Sequence, residues 1–151
     1  MVIGHSGAWS LSDGVVTLRP PAPGEEAVLL AGRDAEWERW LGPGDDVPHP
    51  TAVIVVAGDI VGWVDYDSDQ DWLAPGEVNI GYNVFAPYRG RGYASRAVAL
   101  LLRRLAAEGT HHTATLSIHP DNAASLAVAR RTGFVAAGDV QGSRYFTKPI
   151  Q

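Results

Sequence analysis

An apolar run, Val78-Asn79-Ile80-Gly81-Tyr82-Asn83-Val84-Phe85, leads through Tyr88-Arg89-Gly90-Arg91-Gly92-Tyr93-Ala94-Ser95 into a segment where Ala97, Val98, Leu101, Leu102 and Leu105 recur at helical spacing. This strand, loop and helix restrict the fold more than any other stretch of the chain. The next strand-like run, Thr113 to Ile118, lies beyond that helix, and two strands joined by a helical crossover in one sheet run parallel. The β-rich runs before the loop, Ala52 to Val56 and Ile60 to Asp65, are separated only by Ala57-Gly58-Asp59, a hairpin signal that makes them antiparallel. A mixed α/β (α+β) sheet follows, mostly antiparallel and twisted, with one parallel pair and helices on both faces.

The loop has its own chemistry. Gly90 and Gly92 allow a tight turn, the helix beginning near Tyr93 offers unpaired N–H groups at a positive dipole end, and Arg89 and Arg91 add full charge. Together they make a seat for a phosphorylated ligand.

The remaining chain reads as one domain over residues 13–151, preceded by a loose arm over 1–12. With 151 residues and 46% hydrophobic content it can bury a core without staples. A short strand at Val15 to Arg19 ends at Pro20-Pro21, and a helix from Glu25 to about Leu41 is interrupted at Gly32 and stopped by Gly42-Pro43-Gly44. A polar, turn-rich loop from Asp67 to Gly76 precedes the strand that starts at Glu77. Gly109 ends the long helix, Asp121 or Asn122 caps a last helix that Gly133 ends, and short strands near Phe134 and over Arg144 to Thr147 close the chain. There is no cysteine, so disulfides, thiolate metal sites and a cysteine nucleophile are excluded. The net charge of −5 argues against a nucleic-acid binder and suits cationic or amine partners. Without a basic leader or a long apolar run, the expectation is a cytoplasmic protein that engages no membrane. His111 and His112 have no third ligand at useful spacing, so no metal is expected.

These motifs resemble the GNAT superfamily of acyl-CoA-dependent N-acyltransferases, and within it the branch that includes the ribosomal-protein N-terminal alanine acetyltransferases. The superfamily pattern Arg/Gln-x-x-Gly-x-Gly/Ala stands here as Arg89-x-x-Gly92-x-Ala94 between strand and helix. Branch-like features are Ile80-Gly81-Tyr82, then His119-Pro120-Asp121-Asn122 with Ser125, and Gly133-Phe134. The likeness spans about Val15 to Lys148.

The resemblance implies a parallel strand pair that splays, with the pantetheine arm of acetyl-CoA bound in the gap like an added strand. Val84 and Phe85 are the implied backbone partners of the arm and the thioester carbonyl. Arg89, Gly90, Arg91, Gly92, Tyr93, Ala94 and Ser95 are the implied pyrophosphate site. Asn122 either bonds the CoA arm or caps the last helix. The acid that protonates the departing thiolate is a tyrosine in many members, seven residues after the Asn, where this chain has Ala129. In the ribosomal-protein branch a serine three residues after the Asn takes that part, which points to Ser125, against a plain packing role. The base often sits where Asn79 stands here, leaving as candidates Glu77 on the same strand face, or His119, since histidine is the side chain suited to proton exchange near neutral pH. Trp37 and Trp40 either help wall the acceptor site or pack in the core.

The implied activity is direct transfer of acetyl from acetyl-CoA to a primary amine, a protein N-terminus or a small molecule, without a metal or covalent intermediate, by a monomer or homodimer. The alternative is a non-catalytic acyl-CoA-binding sensor or interaction module, since the usual tyrosine and glutamate positions do not match.

Overall fold

A computed structural model describes residues 9–35, 39 and 50–150. The chain order is β1 (Leu11–Ser12), β2 (Thr17–Arg19), α1 (Glu26–Ala31), β3 (Ala52–Val56), β4 (Asp59–Asp67), β5 (Glu77–Val84), a 3-10 turn (Ala86–Tyr88), α2 (Tyr93–Glu108), β6 (Thr113–Ile118), α3 (Ala123–Arg131), β7 (Val135–Val140) and β8 (Ser143–Pro149). The strands form a sheet in the order β1-β2-β3-β4-β5-β6-β8-β7. Every neighbouring pair is antiparallel except β5 and β6, which are parallel as the helical crossover requires.

Alternation along the strands explains the layers. In β5 the even residues Val78, Ile80 and Val84 join Ala97, Val98, Leu101 and Leu105 of α2 and Val128 of α3 in the main core. On the opposite face Val53 and Phe85 bury Leu29 of α1 in a smaller cluster. Helices therefore cover both faces. The longer helix is held at its end by Gly109, whose left-handed backbone (φ 70°) lets its N–H bond the Leu105 carbonyl.

Two hairpins turn on the same geometry. Ala57 and Gly58 between β3 and β4, and Gln141 and Gly142 between β7 and β8, all have positive φ, the type I′ conformation whose twist matches that of the strands. Asp59, read from the sequence as part of the first turn, is instead paired with Val56.

The N-terminal boundary differs from the sequence reading. Leu11 and Ser12, assigned to a loose arm, pair with Leu18 and Thr17 as a short edge strand; Asp13 makes this turn by accepting the N–H groups of Val15 and Val16. The first helix is interrupted at Gly32, as the sequence indicates: α1 ends at Ala31 with Gly32 as its C-cap, and a Cβ at Gly32 would strike the Phe85 ring. Trp37, Trp40 and the Gly42-Pro43-Gly44 stop lie outside the described residues.

Gly62 of β4 lies opposite Val84, and a Cβ there would collide with the Asn83 carbonyl oxygen and the Val84 Cα. Gly62→Ala is expected to destabilise the protein by about 1–3 kcal/mol, measured by denaturant unfolding, because it drives the end of β5 away from β4.

Candidate active site

The register shows why a cleft opens in the middle of the sheet. Pairing between β5 and β6 covers only Glu77, Val78 and Asn79 against Thr113, Ala114 and Thr115. Beyond that point β6 is paired on its other side with β8, and the two parallel strands part. The Phe85 N–H donates to the Val61 carbonyl (2.8 Å), which fixes the hydrogen-bonding phase of β5 against β4: odd residues bond back to β4 and even residues aim their backbone groups away from it. Tyr82 and Val84 consequently present their N–H groups to the gap. A cavity of about 430 Å³ occupies it, lined by both strands, the start of α2 and one face of α3.

One end of this cavity is the glycine loop. Gly90 (φ 79°) and Gly92 (φ 81°) take left-handed conformations, and Gly92 caps α2 without any side-chain bond. The first intrahelical bond runs from the Arg96 N–H to the Gly92 carbonyl (3.2 Å), so the N–H groups of Tyr93, Ala94 and Ser95 point outward unpaired. The Ser95 hydroxyl is buried without a partner among the described residues and also lines the cavity. Four donors thus converge at a helix N-terminus, an arrangement that holds a diphosphate through backbone and hydroxyl groups.

The sequence matches a family model described as an acetyltransferase (GNAT) domain over residues 44–135. The chain belongs to the GNAT acetyltransferase family. Solved structures share the fold: an acetyltransferase from Agrobacterium tumefaciens str. C58 superposes with a TM-score of 0.77 at 19% identity, covering 93% of this chain and 94% of that one. Mycobacterium smegmatis RimJ in complex with CoA-disulfide gives a TM-score of 0.72 at 23% identity over 90% of this chain and 82% of that one. The aminoglycoside acetyltransferase AAC(6')-Ib in complex with coenzyme A gives 0.76 at 18% identity, covering 89% and 94%. No curated protein matches the sequence.

Within this GNAT frame the expected site residues fall into two groups. Val84, Arg89, Gly90, Gly92, Tyr93, Ala94, Ser95, His119, Asn122 and Ser125 all line the cavity. Asn122 does cap α3, its Oδ1 accepting the Ser125 N–H (3.2 Å), which fixes Ser125 at the cavity wall. Ser125 also receives the Tyr82 hydroxyl at 2.8 Å. Burial pushes the Tyr82 phenol up to about 12, against the opposing pull of that hydrogen bond.

Phe85, Arg91 and Glu77 are placed elsewhere. The backbone of Phe85 is already committed, its N–H to Val61 and its carbonyl to the Tyr88 N–H (2.9 Å), and its ring is buried on the α1 face. It therefore has no group to offer the gap. Arg91 is exposed outside the cavity. Glu77 lies at the closed end of the strand pair, accepting the Ala74 N–H (2.9 Å) and the Tyr145 hydroxyl (3.1 Å), roughly 17 Å along β5 from Tyr82 at ~3.3 Å per residue. It does not meet Ser125.

Arg89 lines the cavity, and its guanidinium is engaged by groups of the protein. It donates to the Val84 carbonyl (2.7 Å), clamps Asp34 with two bonds (2.9 and 3.2 Å) and reaches the Asn83 Oδ1 (3.3 Å). The motif arginine is thus a bracket that ties the end of β5 to the segment after α1. His119 accepts the Asp121 N–H at Nδ1 (3.0 Å), so in its neutral form the basic nitrogen is occupied.

Tyr82, Asn83 and Arg131 line the cavity without having been singled out for a role. Tyr82 was visible in the Ile80-Gly81-Tyr82 motif, but its partner is 43 residues away and only the fold brings them together. Asn83 is 7% exposed with its amide nitrogen unpartnered among the described residues, and its oxygen must face Arg89 because a guanidinium can only donate. No spacing rule marks such a residue.

Gly92→Val places a β-branched residue at a φ of 81° and crowds the N–H groups at the start of α2, while its Cβ meets nothing within 4 Å. We expect CoA binding, followed by calorimetry, to be lost while the thermal unfolding transition remains cooperative.

Proposed function

We propose that this protein transfers the acetyl group of acetyl-CoA directly to a primary amine, either a peptide N-terminus or a small-molecule amine. The observation that carries the reading is the convergence in one cavity of the unpaired N–H groups of Tyr82 and Val84, the open N-terminus of α2, and the Ser125 hydroxyl.

The residues divide the work by position. Tyr93, Ala94 and Ser95 hold the pyrophosphate through N–H groups and the Ser95 hydroxyl, with Gly90 and Gly92 giving the loop its shape. The N–H groups of Tyr82 and Val84 bind the pantetheine arm as a third strand would, and the Val84 N–H is placed to receive the thioester oxygen as it gains charge. An acetyl thioester bound there supplies the electrophilic carbon. Ser125 donates a proton to the departing sulfur, in place of the tyrosine that other family members carry at the position of Ala129. That alanine lies on the buried face of α3, so the position contributes packing here.

The acceptor enters from the α1 side, where Asn83 lies on the same strand face as Phe85. A net charge of −5 favours a cationic amine over an anionic one. Amine acceptors of two kinds are represented among the structural neighbours, by an aminoglycoside acetyltransferase and by RimL, a ribosomal L7/L12 alpha-N-protein acetyltransferase.

Free thiol release from acetyl-CoA across a panel of peptides, polyamines and aminoglycosides tests the activity. At least one acceptor should raise the rate well above background, and Ser125→Ala should lower kcat about 10²-fold with CoA affinity retained. Tight CoA binding with every acceptor at background would instead favour the non-catalytic acyl-CoA-binding module.

A further inference from the structure

We propose that Tyr82 is a positioning residue that acts through Ser125, aiming the serine hydroxyl at the leaving sulfur and taking up the negative charge left when that hydroxyl gives its proton away. The inference rests on the acetyl-transfer reading above and adds a residue to it. Both side chains line the cavity and their oxygens are 2.8 Å apart. A phenol is the stronger acid of the two hydroxyls, so Tyr82 donates and Ser125 accepts.

That direction has a consequence for Ser125. Its main-chain N–H is held by Asn122 (3.2 Å), its oxygen already receives the phenol, and no described residue accepts its own proton. The hydroxyl hydrogen is left to point into the gap between β5 and β6. A lone serine is a poor acid for a thiolate, because the alkoxide it would leave is far more basic than a thiolate whose conjugate acid titrates near ~8.5. Coupling to a phenol lowers that obstacle, because the charge comes to rest on a phenolate rather than on the more basic alkoxide. Burial pushes the Tyr82 phenol up to about 12, which keeps it protonated and donating throughout the physiological range while leaving it the better acid of the pair.

The proton inventory closes. The amine nitrogen bonds the thioester carbon, the carbon–sulfur bond breaks, and the sulfur takes the Ser125 proton as Ser125 takes the Tyr82 proton. The ammonium proton leaves to solvent, and solvent returns one to the phenolate. The products are an amide and free CoA thiol. A tyrosine absent from α3 at position 129 is thereby replaced by one reaching from β5, with Ser125 as the intermediate.

The test compares the intact protein with Tyr82→Phe, Ser125→Ala and the double variant, with CoA calorimetry confirming that each is folded. Tyr82→Phe should lower kcat about ten- to hundredfold with the KM for acetyl-CoA within about twofold, and should cost nothing further in the Ser125→Ala background. Bound CoA gives a reading independent of turnover: ultraviolet titration of its thiol should show a pKa raised in Tyr82→Phe and in Ser125→Ala relative to the intact protein. If the phenylalanine disturbs packing, 3-fluorotyrosine incorporated at position 82 keeps the shape with a more acidic phenol, and should bring an alkaline fall in kcat to lower pH. A kcat for Tyr82→Phe within twofold of the intact protein, or losses that multiply in the double variant, would overturn the relay. Should no amine be turned over by the intact protein, acetyl transfer itself fails, and an unchanged thiol titration in Tyr82→Phe would separately overturn the link between Tyr82 and the sulfur.

Discussion

The parallel pairing of β5 with β6 lasts three residues and then stops, and the rest of the molecule is arranged around that interruption. Backbone N–H and C=O groups inside a protein are costly to leave unpaired, so a sheet that opens in its middle needs something to occupy the opening. Each strand is held from its far side: β5 by β4 through Asn83 and the Phe85 N–H, and β6 by β8 through six consecutive pairs from Thr113 to Ile118. Both walls of the gap are therefore anchored by pairing on their far sides. A ligand presenting amide groups in an extended chain fits it better than any side chain could.

Arg89 shows how the opening is kept in shape. Its guanidinium ties the Val84 carbonyl, Asn83 and Asp34 into one cluster at the point where β5 leaves the sheet. With the Val84 carbonyl already engaged, the Val84 N–H is the free backbone donor at the mouth. The same bracket places the α1 side of the sheet and the glycine loop in fixed relation, so the two substrates of a transfer reaction would meet at a defined edge. Interactions of this kind, charge-assisted and forked, hold geometry more firmly than a single neutral hydrogen bond.

Much of this was legible in the sequence, for reasons that separate by range. The strand, glycine loop and helix from Val78 to Leu105 carry local signals, namely alternation, positive-φ glycines and helical spacing, and the parallel pair follows from topology. The Gly109 cap and the Asn122 cap were likewise local. What could not be read was anything decided by contact across the sheet. Phe85 looked like a backbone partner for the ligand, but the phase set by Val61 turns its N–H the other way. Arg89 reads as part of the pyrophosphate loop, and nothing local marks the bond of its guanidinium to Asp34, 55 residues away. Glu77 shares a strand with Tyr82 yet lies at the closed end, where Tyr145 and the Ala74 N–H take its carboxylate.

The central claim is that an extended acyl-CoA arm completes the interrupted strand pair. Amide hydrogen exchange of Tyr82 and Val84, followed with and without saturating CoA, addresses it most directly. Both amides should exchange readily in the free protein and become strongly protected on binding, together with Tyr93, Ala94 and Ser95. Binding of CoA that leaves the Tyr82 and Val84 amides exchanging at their free rates would contradict the account.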